Sequence, residues 1–244
     1  MVNKIDVVIT MGGLGSRFRK CGYTVPKYMI EAKGKTLFEW SLISLDCFRP
    51  EVNQYIFIAM RDKDNNVKCF IEEKCAKLAI KKYHIILLDY LTDGQATTAK
   101  LASRYWEKQN SLLIYNIDTY VEPGEMKAAE LKGDGFIPCF QAAGDHWSFV
   151  RLDENGKVVE IKEKKRISNY CTIGAYYFKT CALYETLYNE YYTNNQKLVN
   201  GEKYVAPLYD YLLSKGGEIY ISDIDSKKVH VLGTPEELEI FLKE

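Results

Sequence analysis

The stretch Ile5-Asp6-Val7-Val8-Ile9-Thr10-Met11-Gly12-Gly13-Leu14-Gly15-Ser16-Arg17-Phe18 sets the frame for the rest of the chain. Its first half is a short apolar run rich in β-branched residues, the pattern of a strand buried on both faces. Its second half is glycine-rich, so the backbone can turn sharply and bring N–H groups close to an anion. A buried strand feeding directly into such a loop suits phosphate. Two common nucleotide motifs do not fit it. A dinucleotide fingerprint needs a third glycine where Phe18 stands, and Gly34-Lys35-Thr36 ends like a P-loop whose first glycine would fall on Met29.

Working outward, apolar β-rich runs alternate with helical patterns through the first half. The runs predict strands over Ile5 to Met11, Tyr55 to Met60, Tyr83 to Asp89 and Leu112 to Asp118. Helices are predicted over Leu37 to Cys47, Val67 to Ile80 and Gln95 to Trp106, with a short one near Glu125 to Leu131. This is the βαβ rhythm of a parallel, doubly wound sheet. After about Gly135 the rhythm turns β-rich, with Phe136 to Gln141, Phe149 to Leu152, Val158 to Lys162 and Cys171 to Phe178, and a hairpin turn at Glu154-Asn155-Gly156. Helical patterns near Cys181 to Tyr192 and Tyr204 to Lys215, a strand near Glu218 to Ile221 and a helix from Pro235 follow. The expectation is an α/β fold built on a mixed, mainly parallel sheet flanked by helices. With no repeat or linker in view, residues 1–244 are expected to form a single domain.

Composition narrows the function classes. The 33 basic and 33 acidic residues balance, so no long-range field attracts a polyanion and nucleic acid is not an expected partner. No apolar run is long enough to cross a bilayer, and the start of the chain lacks the pattern of a secretory signal. Seven cysteines without a C-x-x-C pair are awkward for a disulfide framework, so a reducing cytoplasm is the expected compartment. The nineteen tyrosines suit either a core or an interface, which leaves a homo-oligomer open.

Gly13-Leu14-Gly15-Ser16-Arg17-Phe18, followed by Pro26-Lys27, resembles the G-x-G-[ST]-R-[FL] and proline-lysine pattern of the sugar-phosphate nucleotidylyltransferases. Four further segments are similar to that family in the same order: Asp93-Gly94-Gln95-Ala96, Asn116-Ile117-Asp118, Glu160 to Lys164 with Ile173-Gly174-Ala175-Tyr176-Tyr177-Phe178, and Leu232-Gly233-Thr234-Pro235. The resemblance implies a GT-A-like, Rossmann-type fold with a nucleotide half over about 1–134 and an acceptor half over about 135–244. It implies a nucleoside triphosphate and a phosphorylated small molecule as partners, Mg²⁺ as cofactor, and release of pyrophosphate. Among the family's branches, a pyrimidine nucleotide, with CTP slightly favoured, is implied, and the chain's size and ending are compatible with the capsule branch that cytidylylates phosphoglutamine.

Carried over by position, Arg17 and Lys27 would hold the triphosphate and Asp118 the metal, while Met11, Gly12, Gly13, Gly15, Ser16, Gly94 and Gln95 would surround the nucleotide. Glu163, Lys164 and Gly174 would meet the acceptor, with Trp147 as a wall. The bland alternatives are an ordinary helix start at Gly94-Gln95, a solvated charged hairpin at Glu163-Lys164, and a core tryptophan. Two departures stand out. Lys165 replaces the usual proline after Lys164, and Val231 occupies the place of a second metal aspartate, for which Asp225 or Asp223 is the expected substitute. A GT-A glycosyltransferase would more usually show a D-x-D pair than Asn116-Ile117-Asp118, and a nucleotide-binding homologue without turnover is the other alternative.

Overall fold

A computed structural model describes residues 3–193 and 198–244. The strands in chain order are β1 (Ile5–Met11), β2 (Glu31–Ala32), β3 (Lys35–Thr36), β4 (Val52–Met60), β5 (Tyr83–Leu88), β6 (Ser111–Asn116) and β7 (Thr119–Val121). They continue as β8 (Gly135–Gln141), β9 (Ser148–Leu152), β10 (Val158–Glu163), β11 (Tyr170–Thr172), β12 (Ala175–Phe178), β13 (Ile219–Asp223) and β14 (Val229–Val231). The helices are α1 (Ser16–Lys20), α2 (Leu37–Ile43), α3 (Val67–Lys77), α4 (Gln95–Lys100), α5 (Cys181–Tyr191), α6 (Ala206–Ser214) and α7 (Pro235–Lys243).

Ten strands form one sheet in the order β10-β9-β11-β8-β12-β6-β1-β4-β5, with β13 added along β8. Strands β6, β1, β4 and β5 run parallel, whereas β12, β8, β11, β9 and β10 join through antiparallel pairs. The expected α/β architecture is therefore present, with the parallel part drawn from the first half of the chain. Strand β1 is apolar at nearly every position because both its faces are covered. Val7, Ile9 and Met11 pack into one core layer with Phe38, Phe57 and Ile71, while Val8 packs into the other with Ile56, Ile58, Ala96 and Tyr184.

Several elements are shorter than their sequence patterns suggest. The pattern over Leu37 to Cys47 yields α2 and then a 3₁₀ turn at Asp46–Phe48; that over Gln95 to Trp106 yields α4 and a 3₁₀ turn at Leu101–Arg104. Near Glu125 to Leu131 only the turn Ala128–Glu130 forms. The run Cys171 to Phe178 is split into β11 and β12, which lie one after the other along β8, with Gly174 at φ 82° between them. That break lets β12 pair with β6 while β11 turns outward to β9.

A third, smaller core joins the two ends of the chain. Phe18 and Leu37 pack there with Leu232, Leu238 and Phe241, so α7 is held beside the glycine loop. Helix α2 enters this region through a capping box: Glu39 accepts from Thr36 N at 2.9 Å and Thr36 Oγ1 donates to it at 2.8 Å. Glu39 is buried and also meets Lys77 Nζ at 2.6 Å. Burial alone would raise its pKa, but the bonds from Lys77 and Thr36 and the nearby Lys74 prevail and hold it at about 2. The folded pKa is thus below the ordinary 4.5, so this stabilisation is complete above pH 4.5 and is lost as pH falls toward 2. Melting temperature measured across that window should fall less steeply in Glu39→Gln than in the native chain; identical slopes would show that Glu39 does not carry the acid sensitivity.

Candidate active site

The carboxyl ends of the parallel strands open into a cleft of two adjoining hollows that share Gln95, Asn116 and Asp118 as a common wall. This is where open α/β sheets place their ligands. One hollow is bounded by Thr10, Gly12, Gly13, Lys27, Thr92 and Gly94. The other is bounded by Arg17, Trp147, Glu163, Lys164, Tyr204 and Glu237, among others.

The glycine loop leaves β1 and enters α1, whose N-cap Gly15 has φ 62° and whose first turn has no side-chain cap. Gly12 and Gly13 border the first hollow, and a Cβ on Gly13 would meet nothing within 4 Å. Gly15 and Ser16 form the turn behind them and do not line the cleft. The Met11 side chain is 2% exposed and belongs to the core. Arg17 borders the second hollow rather than the first, and among the described residues it has no ion pair.

Strand β6 ends at Asn116, and Asp118 follows at the mouth of the sheet. Pro26 leads into a 3₁₀ turn that begins at Lys27, whose Nζ lies 2.5 Å from Asp118 Oδ2. Beside this pair the Gln95 amide nitrogen donates to Thr10 Oγ1 at 3.1 Å and also to Asn116 Oδ1. Gln95 opens α4 with Gly94 as its N-cap.

Along the second hollow, β10 ends at Glu163, where Ser148 Oγ donates to the carboxylate. Burial raises the Glu163 pKa, and among the described residues it has no ion pair at contact distance. Lys164 N donates to Trp147 O at 2.8 Å, and Lys164 Nζ reaches the Tyr204 hydroxyl. Trp147 Nε1 donates to Ala143 O at 2.9 Å and its ring meets Phe140 edge-on. Gly174 sits against Asn116: a Cβ there would lie 2.3 Å from Asn116 Nδ2.

The end of the chain closes the second hollow. Strand β14 pairs with β7 so that Val231 faces Thr119, and Leu232 N donates to Asp118 O at 2.8 Å. Gly233 thereby lies between two carboxylates, since a Cβ on it would be 3.4 Å from both Asp118 Oδ2 and Glu237 Oε2. Asp225 does not join them. Its side chain accepts from Lys227 N at 3.0 Å and caps a turn outside the cleft, while Asp223 borders a separate hollow with Ile221 and Phe136. The expectation of Asp225 at the metal is corrected on this ground, and Glu237 is the carboxylate that the fold brings near Asp118. Glu202, Tyr204 and Glu237 were not singled out from sequence. A Thr234 N-cap with Glu237 three residues later was the one available signal, and it reads as ordinary capping.

Among the described residues no group of three or more acidic, histidine or cysteine side chains is close enough to hold an ion. Mg²⁺ does not need such a cage, because it keeps waters and takes substrate phosphates beside one or two carboxylates. Asp118 and Glu237 lie on either side of Gly233, which meets that requirement of one or two carboxylates.

Residues 6–209 match the nucleotidyl transferase family. The chain belongs to that family. It is 36% identical to a nucleoside-diphosphate-sugar pyrophosphorylase from Vibrio cholerae, covering 98% of this chain and 100% of that one with a TM-score of 0.88. Two solved structures share the nucleotidyltransferase fold at lower identity. An inositol-1-phosphate CTP transferase from T. maritima is 17% identical at a TM-score of 0.74, covering 100% and 98% of the two chains. A CTP:phosphocholine cytidylyltransferase from Streptococcus pneumoniae is 13% identical at 0.75, covering 98% of each. No protein of curated function matches the sequence. No helix among the described residues is long and apolar enough to cross a membrane.

The contact between Gly174 and Asn116 can be separated from backbone strain in this nucleotidyltransferase. Gly174 and Gly216 both have φ 82°, but only Gly174 has a neighbour where a Cβ would go. Gly216→Ala should cost about 1–3 kcal/mol of stability from strain alone. Gly174→Ala should cost more and should also weaken nucleotide binding by displacing Asn116 from Gln95. Equal melting temperatures and unchanged nucleotide titrations for the pair would rule that out.

Proposed function

We propose that this nucleotidyltransferase uses CTP to cytidylylate a small phosphate monoester. The hollow at Gly12, Gly13 and Gln95, formed chiefly before about residue 134, takes the nucleotide; the hollow at Trp147, Glu163 and Lys164 takes the acceptor. The feature that favours cytosine over uracil or thymine is the hydrogen bonding of Gln95. Thr10 Oγ1 donates to Tyr115 O, so it accepts from Gln95, whose amide nitrogen is also committed to Asn116. The carbonyl oxygen is left for ligand. It can accept from the 4-amino group of cytosine, whereas O4 of uracil or thymine would oppose it with a second acceptor.

In the reaction, an acceptor phosphate oxygen attacks the α-phosphorus in line. The new O–P bond forms as the bond to the β-phosphate oxygen breaks, and the electron pair leaves with pyrophosphate. A phosphate monoester is largely dianionic at neutral pH, so no residue need remove a proton. Lys27 holds triphosphate oxygens on the nucleotide side, Arg17 offers its fork from the wall of the second hollow, and Lys164 draws in the acceptor phosphate. Asp118 and Glu237 would hold Mg²⁺, which when bound neutralises triphosphate charge and polarises the α-phosphate. Glu163, half-buried and without an ion pair among the described residues, suits hydroxyl or amide N–H groups on the acceptor. Sugar phosphates and phosphoglutamine, the latter a capsule precursor in this reading, both present such donors.

Pyrophosphate release should be measured with Mg²⁺ for CTP, UTP, ATP, GTP and dTTP, each against sugar phosphates, phosphocholine and phosphoglutamine. Release with CTP and one acceptor class is expected; binding of nucleotide with no release from any pair would defeat the reading. Lys27→Ala should lower kcat by about a hundredfold or more while nucleotide affinity changes far less. An unchanged kcat would remove Lys27 from the reaction.

The assignment of Glu237 has its own test. Mn²⁺ affinity, read from the paramagnetic resonance of free ion, should weaken about tenfold in Glu237→Gln. Adding Val231→Asp to that variant should restore it by supplying a carboxylate from β14. Equal Mn²⁺ affinity in the native chain and Glu237→Gln would leave Asp118 as the metal carboxylate without Glu237.

A further inference from the structure

Between the two hollows lies a short hairpin with no counterpart in the motifs read from sequence. Asn200 (φ 50°) and Gly201 (φ 82°) make its turn, and Val199 and Glu202 exchange main-chain hydrogen bonds of 3.0 Å. Its outgoing residues reach into the cleft, Glu202 on the nucleotide side and Tyr204 on the acceptor side.

Lys203, between them, is only 8% exposed. Its N donates to Asp93 O at 2.7 Å and its carbonyl accepts from Ala96 N at 3.0 Å, so its main chain pairs with the loop that starts α4. The approach is close enough to require glycine at position 94, where a Cβ would lie 2.3 Å from Lys203 O. The Lys203 ammonium meets Asp93 Oδ2 at 2.8 Å and lies 5.9 Å and 5.7 Å from the rings of Tyr188 and Tyr192. Asp93 is held in turn by the Thr97 hydroxyl. A lysine buried this deeply is costly unless such partners compensate it, so its position is well defined.

The neighbouring residue performs the matching task on the other side. Tyr192 Oη donates to Tyr204 O at 2.6 Å and fixes its main chain. The Tyr204 hydroxyl accepts from Lys164 Nζ, which lies 4.3 Å from the ring centre. Lys164 itself has φ 53°, a conformation that a lysine keeps only when its surroundings hold it.

We propose that Lys203 and Tyr204 are positioning residues that couple the two substrate sites: Lys203 sets the Asp93–Gln95 loop, Tyr204 sets the Lys164 ammonium, and nucleotide binding at the loop stiffens the acceptor side through their shared backbone. This rests on the reading of that loop as nucleotide-binding and of Lys164 as the acceptor-phosphate ligand. Lys203 contacts neither proposed reactant; its effect passes through Asp93 and Tyr204.

Amide hydrogen exchange with saturating CTP and Mg²⁺, and no acceptor, tests the coupling. In the native chain exchange should slow about fivefold both in the 93–96 loop and in the 147–165 segment, where Lys164 N bonds Trp147 O. Lys203→Arg should retain both effects. Lys203→Met should lose the effect at 147–165, and Tyr204→Phe, which leaves the pairing with Asp93 intact, should lose it there while keeping it at 93–96. Equal slowing at 147–165 in the native chain and both of these variants would overturn the coupling while leaving the nucleotide site in place. Slowing confined to 93–96 in the native chain would do the same. Failure of CTP to bind at all would overturn the nucleotide reading and this inference together.

Discussion

Lys27 and Asp118 are ninety-one positions apart and meet at 2.5 Å, with side chains 17% and 24% exposed. An ion pair at that depth contributes little net stability, because the desolvation of two charges offsets most of their attraction. What it requires is placement. Strand β1 must run beside β6 in parallel register, Thr10 against Asn116, for the chain beyond each strand to emerge at the same edge. The glycine loop and α1 must then turn the chain back so that Pro26 delivers Lys27 over that edge. Much of the first half of the chain can be understood as the scaffold that brings these two charges together.

How much of this could be read in advance depends on the range of the interactions concerned. Strand β1 and its loop were legible because strand burial and glycine turns are local properties. So were α3 and the turn at Gly156, where one short segment contains the whole signal. The break at Gly174 was not, since Cys171 to Phe178 is uniformly β-prone, and the glycine is explained by its φ of 82° and by Asn116 packed against it. Asp225 was a reasonable choice by sequence proximity, yet the register of β14 on β7 decides which carboxylate approaches Asp118. That register is a contact between segments about one hundred residues apart, and it selects Glu237.

The substitution of Val231 for an acidic residue acquires a physical meaning in this arrangement. Val231 borders the second hollow and leaves its wall apolar at that point, while negative charge enters from Glu237 in the first turn of α7. Glu237 is placed there by two constraints that have nothing to do with a metal: Gly233 N donates to it at 3.0 Å, and the third core clamps α7 through Leu238 and Phe241. On the proposed reading, a carboxylate held by capping and packing is already oriented before any ion arrives, which reduces the ordering cost of binding one.

The two parts of the sheet place different demands on the sequence. In the parallel part, strands buried on both faces must stay apolar, and the groups at their ends are fixed by that packing. The antiparallel extension of β9 to β11 carries Trp147, Glu163 and Lys164 on strand ends and turns, where side chains can change without disturbing the main core. Asn116 and Gly174 form the joint, because β12 pairs with β6 there and Asn116 N donates to Gly174 O at 3.1 Å. This separation lets the wall of one hollow change without moving the other. Coupling of the two substrates, as proposed, requires a physical link across the joint. The main chain at Lys203 and Tyr204 provides one, since a displacement at Asp93 cannot leave the adjacent residue, and the lysine it holds, unmoved.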